Sequence, residues 1–150
     1  MAKADNFFYR VVDANFNRAR EGLRVCEDIS RFIIKSKTLT SGIRKIRQRL
    51  SGLFVKTQKK RFLAARNSPS DIGKGLTKVK TKRRNYADVF MANMERSKES
   101  VRVLEEFFKL NDERASKVLM SLRYKLYNLE KKGVEKIRAV CGDRQRAVRK

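Results

Sequence analysis

Arginines and glutamates three residues apart mark two stretches of this sequence as places where anions can be gripped: Arg18, Glu21 and Arg24 in one, Arg96, Glu99 and Arg102 in the other. That spacing is just under one helical turn, so each glutamate has an arginine within reach on either side. Such a ladder is either a solvated set of ion pairs, worth roughly a few tenths of a kcal/mol each, or a clamp for phosphate oxygens, which guanidinium groups bind bidentately. Asn15 and Asn93 precede the two stretches, and their amides either satisfy the core and chain turns or read the edge of a heterocycle. Asp71 is an isolated acid in a basic loop, where it either holds Mg²⁺ through water or caps a turn. Tyr124 and Tyr127 lie beside Arg123 and either stack on a base or line the core. The chain has no histidine and two cysteines, which leaves no zinc site and removes the commonest general base. Any chemistry must run on carboxylates, Arg, Lys, Tyr or a loosely held Mg²⁺.

The elements that position these groups read as helices. One proline, Pro69, and few glycines interrupt 150 residues, and apolar side chains recur at helical spacing. Four main helices are expected: about Asp5 to Lys35, a second from Thr40 or Ser41 carrying Ile43, Ile46, Leu50 and Phe54, a third from Asn85 to Leu110, and a fourth after Asn111-Asp112. Between the second and third lies a long connection containing Pro69, Asp71 and Gly73-Lys74-Gly75; the last tripeptide lacks the Walker spacing and reads as a turn. Gly133 and Gly142 weaken the basic end of the chain beyond the fourth helix, so residues 1–132 are expected as the domain and 133–150 as a basic extension.

With 39 Lys and Arg against 16 Asp and Glu the formal charge is +23, which calls for anionic partners. A hydrophobic fraction of 41% still supports a core, and a domain of this size buries roughly 70% of its unfolded surface. No segment reads as a signal sequence or a membrane span, and Cys26 falls on an apolar stripe, so a reduced, cytoplasmic protein is expected.

An internal repeat organises the chain. Ala14 to Glu27 aligns without a gap on Ala92 to Glu105, matching Ala, Asn, Arg, Glu, Arg, Val and Glu, and Arg47-Gln48-Arg49-Leu50 echoes Arg123-Tyr124-Lys125-Leu126. The reading is all-α: a four-helix arrangement of two duplicated hairpins about a pseudo-twofold axis. Val12, Phe16, Ala19, Leu23, Cys26 and Ser30 form one stripe, matched by Phe90, Met94, Ser97, Val101, Leu104 and Phe108. A second set, Ala14, Glu21, Val25 and Phe32 with Ala92, Glu99, Val103 and Leu110, lies almost opposite, which predicts helices apolar on two faces with Glu21 and Glu99 among apolar neighbours.

The string Val12-Asp13-Ala14-Asn15-Phe16-Asn17-Arg18-Ala19-Arg20-Glu21-Gly22-Leu23-Arg24-Val25, with Glu27-Asp28 and Arg31-Phe32, resembles the signature of a small helical kinase domain found alone or fused to thiamine phosphate synthase. Leu63 to Arg66 with Asp71-Ile72-Gly73, Ala92 to Glu106 and Arg123 to Glu130 resemble the same family in the same order, covering about residues 6 to 132. The resemblance implies phosphorylation of hydroxymethylpyrimidine monophosphate to the diphosphate, with ATP as co-substrate and Mg²⁺. It turns the pool Arg18, Arg24, Arg66, Arg96, Arg102 and Arg123 into candidate phosphate clamps. Glu21, Glu99 and Asp71 become carboxylates that orient arginines or, for Glu21 and Asp71, hold the metal. Asn15, Asn93, Tyr124 and Tyr127 become candidates for the pyrimidine. Partners in this reading are the phosphorylated pyrimidine, the nucleotide, a thiamine phosphate synthase and a second copy of the chain. The alternatives are a basic helical nucleic-acid-binding protein, whose affinity would fall steeply with salt, and a non-catalytic module partnering the synthase.

Overall fold

A computed structural model of the chain describes residues 3–54, 56–73 and 82–147; Lys74, Gly75 and the basic run from Lys78 to Thr81 lie outside the described residues. Among the described residues there are five α-helices: α1 Lys3–Asp28, continued by a π-helical turn Ile29–Ile33, then α2 Lys37–Leu53, α3 Lys56–Ala65, α4 Tyr86–Phe108 and α5 Glu113–Ala147. The fold is all-α, with no strand among the described residues.

Local chemistry sets most of the boundaries. Lys35 takes a left-handed conformation (φ 56°) that reverses the chain after the π-turn. Ser36 then caps α2 by accepting from Leu39 N–H, which starts that helix earlier than Thr40 or Ser41. Asn85 caps α4 by accepting from Asp88 N–H at 2.9 Å, while Asp88 accepts from the N–H of the preceding residue, Arg84, at 3.2 Å. Asp112 caps α5 through Ala115 N–H at 2.9 Å.

The expected stripes are the core. Val12, Phe16, Ala19, Leu23 and Cys26 of α1 and Phe90, Met94, Ser97, Val101, Leu104 and Phe108 of α4 are all buried. The two helices run antiparallel, with Phe8 edge-on to Phe108, Ser97 Oγ donating to Ala19 O at 3.3 Å and Cys26 against Phe90 O. α2 packs on α1, α5 on α4, and α2 meets α5, so α1 and α4 sit centrally between their hairpin partners.

Three expectations need correction. The second face is not apolar in use: Phe32 and Leu110 are 61% and 75% exposed, and Glu21 and Glu99 face solvent. Contacts along the first stripe form the core, and the opposite side carries only partial cover, with Val25 half-buried against the core and Ala14 and Glu21 lining a cleft. The second helix does not run on to the long connection before the third. It ends at Phe54, whose ring packs 4.1 Å from Phe16 and 5.7 Å from Phe62, and the chain restarts as the short α3. Finally, the fourth helix does not end before Gly133: α5 runs unbroken across that position. Gly133 is the contact point for Phe90, whose ring a Cβ would strike, and Ile137 beyond it is fully buried.

Gly22 marks the closest approach of α1 and α4, where an added Cβ would lie 2.7 Å from Asn93 O and collide with Ser97 Oγ. Gly52, also helical, has nothing within 4 Å of that position. Alanine at Gly52 should therefore raise stability by about 0.5–1 kcal/mol through helix propensity. Alanine at Gly22 should lower it by about 1–3 kcal/mol, because backbone rather than a flexible tip obstructs it. Thermal unfolding of the two variants, followed by circular dichroism, should shift in opposite directions.

Candidate active site

Positions 13, 17, 20, 21 and 24 recur at three and four residues, which places Asp13, Asn17, Arg20, Glu21 and Arg24 along one side of α1. Two adjoining clefts open on that side and share Asn17 and Glu21. The first, of about 390 Å³, is closed by the segment after α3 and contains Asp13, Glu21 and Asp71 with Arg10 and Arg66. The second, of about 490 Å³, lies toward α2 and contains Arg20, Arg24 and Arg47 with Glu21. A carboxylate-rich hollow thus abuts an arginine-rich one, with Glu21 at the join.

The first cleft is held together by an arginine fork. Arg66 donates through Nε to Asp13 Oδ2 and through Nη2 to Asp13 Oδ1, both at 2.8 Å, and Asn17 Nδ2 donates to Asp13 Oδ1 at 3.0 Å. The hydrogen bonds and charge of Asp13 push the Arg66 guanidinium further toward its protonated form. Arg10 adds a second tether by donating to Asn67 O at 2.9 Å. Asp71 accepts from Gly73 N–H at 2.9 Å, so it does cap a turn, while its carboxylate still lines the cleft.

The second cleft owes its form to a buried carboxylate. Glu27, 1% exposed, accepts from Arg44 Nε at 2.8 Å and from Arg47 Nε at 2.9 Å, joining α1 to α2. Burial opposes ionisation of Glu27, but the paired hydrogen bonds and charges of the two arginines outweigh it and hold its carboxyl below the ordinary value. Arg47 therefore reaches the cleft from a fixed base. Arg20 lies over the Phe16 ring at 5.2 Å, and its Nε is buried with no hydrogen-bond partner. A desolvated, unpaired guanidinium nitrogen is costly and invites an anionic ligand.

The equivalent positions in the second half are closed. Glu105, 2% exposed, accepts from Arg102 Nη1 at 2.7 Å and from Arg123 Nε at 2.8 Å, as Glu27 does from its arginines. Lys98, the repeat partner of Arg20, is bound at 2.7 Å by both Glu95 and Glu130. Arg123 also donates to Tyr127 Oη at 2.8 Å and lies over the rings of Tyr124 and Tyr127.

Of the residues singled out in the sequence, Glu21, Arg24, Arg66 and Asp71 come together in the α1 clefts. Arg102, Arg123, Tyr124 and Tyr127 form a separate group around Glu105; both tyrosines are exposed, so neither lines the core. Arg18, Arg96 and Glu99 are exposed outside the clefts. Asn15 and Asn93 each donate to the carbonyl four residues earlier, Val11 and Val89, at 2.9 and 2.8 Å. Sequence reasoning missed Asp13, Arg20, Glu27 and Arg47. The signal for two of them was present, since Glu27 and Arg47 recur in the repeat as Glu105 and Arg123. Cys26 is a free, buried thiol that burial, and then the charge of Glu130, push up to about 12, which rules it out as a nucleophile at neutral pH. No described helix is long and apolar enough to cross a membrane.

The sequence matches the model of the ThiD2 family over residues 10–132. Among curated proteins it is similar to the thiamine-phosphate synthases of Prochlorococcus marinus (37% identity over 127 residues, 84% of this chain and 36% of that protein), Nostoc punctiforme (38% over 123 residues, 81% and 34%) and Rhodopirellula baltica (33% over 119 residues, 79% and 32%). The chain spans about a third of the length of these relatives. No solved structure matches it significantly.

Because the folded Glu27 carboxyl titrates below its unfolded value of about 4.3, its contribution is fully present above that pH and is lost as pH falls through the lower folded value. Glu27→Gln should be about 1–3 kcal/mol less stable at pH 7, and the gap to the parent protein should narrow below about pH 4. Urea unfolding at pH 7 and at pH 3 measures both; a gap that does not change with pH would show that ionised Glu27 is not the source.

Proposed function

The chain belongs to the ThiD2 family, and from that premise we propose that it transfers the γ-phosphoryl group of ATP to hydroxymethylpyrimidine monophosphate, forming the diphosphate and ADP. The observation that carries this reading is the arginine cleft of Arg20, Arg24 and Arg47 lying against the carboxylate cleft of Asp13, Glu21 and Asp71. Bringing two polyanions together needs fixed positive charge above all, and phosphoryl transfer runs chiefly on positioning and electrostatic stabilisation.

In the proposed reaction an oxygen of the acceptor phosphate attacks the γ-phosphorus, the bond from that phosphorus to the β–γ bridging oxygen breaks, and the electron pair leaves with ADP. The acceptor oxygen is ionised near neutral pH, so no general base is required and the absence of histidine is no obstacle. Arg20 supplies the unpaired donor, Arg47 donates from its anchorage on Glu27, and Arg24 closes the solvent side. Asp13 is committed to Arg66 and keeps the 66–73 segment over the cleft.

Mg²⁺ fits this donor set only in part through protein ligands. Among the described residues no group of three or more acidic, histidine or cysteine side chains is placed to cage a metal. Kinase-type Mg²⁺ is held by one or two carboxylates with the remaining positions on phosphate and water, and Glu21 and Asp71 in one cleft match that need. Once bound, the ion would neutralise charge on the transferring group. The similarity to thiamine-phosphate synthases supports a place in thiamine biosynthesis, with a synthase as the consumer of the diphosphate.

Purified protein supplied with hydroxymethylpyrimidine monophosphate, ATP and Mg²⁺ should release ADP, and the unphosphorylated alcohol should not replace the monophosphate. Arg20→Ala should reduce kcat/KM by about 10²–10³-fold while leaving the circular dichroism spectrum unchanged. Turnover no higher than background would overturn the proposal, and undiminished turnover in Arg20→Ala would remove that residue from it.

A further inference from the structure

A third cleft, of about 540 Å³, lies where α2 meets α5 and shares no residue with the two on α1. Its floor is Ile46, Val118, Leu122 and Leu129, and its rim carries Lys45, Arg49 and Lys125. Floor and rim repeat across the duplication: Ile46 and Leu122 are partners, as are Arg49 and Lys125. No carboxylate lines the cleft, and none of the three cations has an ion pair or hydrogen bond among the described residues. Lys45, Arg49 and Lys125 are exposed on this rim, whereas half-buried Arg47, Lys98 and Arg123 are answered by Glu27, by Glu95 and Glu130, and by Glu105. α2 itself makes the contrast, since Arg44 and Arg47 meet Glu27 on its α1 side while Gly42 abuts Leu129 on its α5 side.

We infer that the α2–α5 cleft is a second ligand site, for a small organic phosphate with a flat apolar body. An apolar floor of this size suits a ring system, and clefts of about 300–1,000 Å³ are the usual range for such ligands. Three unanswered cations on one rim suit a phosphate or diphosphate and disfavour a neutral or cationic molecule. The geometry separates the two parts of the ligand: the ring lies on Ile46 and Leu122, and the phosphate meets Arg49 and Lys125. This site stands independently of the kinase reading, because it uses none of the α1 residues.

Phenyl phosphate is a suitable probe, titrated into ¹⁵N-labelled protein at constant ionic strength with inorganic phosphate and benzyl alcohol as controls. Saturable shifts at Gly42, Ser121 and Asn128 are expected with phenyl phosphate, with affinity about tenfold or more above that of either control. Arg49→Glu combined with Lys125→Glu should abolish those shifts, Ser121→Trp should block them by filling the cleft, and Arg20→Ala should leave them in place. Equal shifts with inorganic phosphate, or shifts confined to the Arg20, Arg24 and Arg47 cleft, would overturn the site.

Discussion

Two buried glutamates hold the fold and set out its chemistry. Glu27 on α1 and Glu105 on α4 occupy equivalent places in the repeat, and each takes arginines from its own helix or the next: Arg44 and Arg47 for the first, Arg102 and Arg123 for the second. A buried carboxylate without such partners would be expelled or protonated. Each pair therefore fixes how one helix of a hairpin lies along the other, in the part of the interface that apolar packing alone leaves free to slide. The α1–α4 contact at Gly22 and Ser97 then joins the hairpins through backbone closeness, with no charge involved.

The same pair is used differently in the two halves. Around Glu105 the surrounding cations are consumed, Lys98 by two glutamates and Arg102 by Glu105 and Glu106. Around Glu27 the arrangement stays open, because Asn17 stands where the second half has Glu95, and Arg20 stands where it has Lys98. Asparagine in place of one of the two glutamates that answer Lys98 removes that counter-ion, and Arg20 keeps an unsatisfied nitrogen beside a cleft. The duplication thus yields one half that binds itself and one that can bind something else.

The core stripes, the capping residue Asn85 and the all-helical class were legible in the sequence because each rests on a local rule: periodicity, side-chain capping and the scarcity of proline and glycine. Glu27 was harder to find than Glu21, although both stand in the repeat. On periodicity alone Glu21 shares a face with Val25 and Phe32, but which face is covered depends on where α2 packs, and that is a long-range fact. The break at Phe54 is similar. Gly52 only weakens the helix near its end, and the packing of Phe54 against Phe16 and Phe62 is a tertiary contact that the local sequence does not show. Gly133 misled in the opposite sense, because a glycine that weakens an isolated helix is required where Phe90 lies against it.

Carboxylates are the scarce component in a chain with 39 basic and 16 acidic residues, so their placement decides which cations are left to act. Those on the second half cancel their neighbours. On α1, Asp13 is spent on Arg66 and Glu27 on Arg44 and Arg47, both to build walls. Between those walls remain Glu21 and Arg20, with Arg24, paired to Asp28 at 3.3 Å, on the solvent side. High net charge by itself attracts any polyanion, and it does so diffusely, over every exposed lysine. Selectivity has to come from cations that are desolvated and held in place, and in this protein the burial of Arg20 Nε and the anchoring of Arg47 on Glu27 supply that condition on one face of one helix.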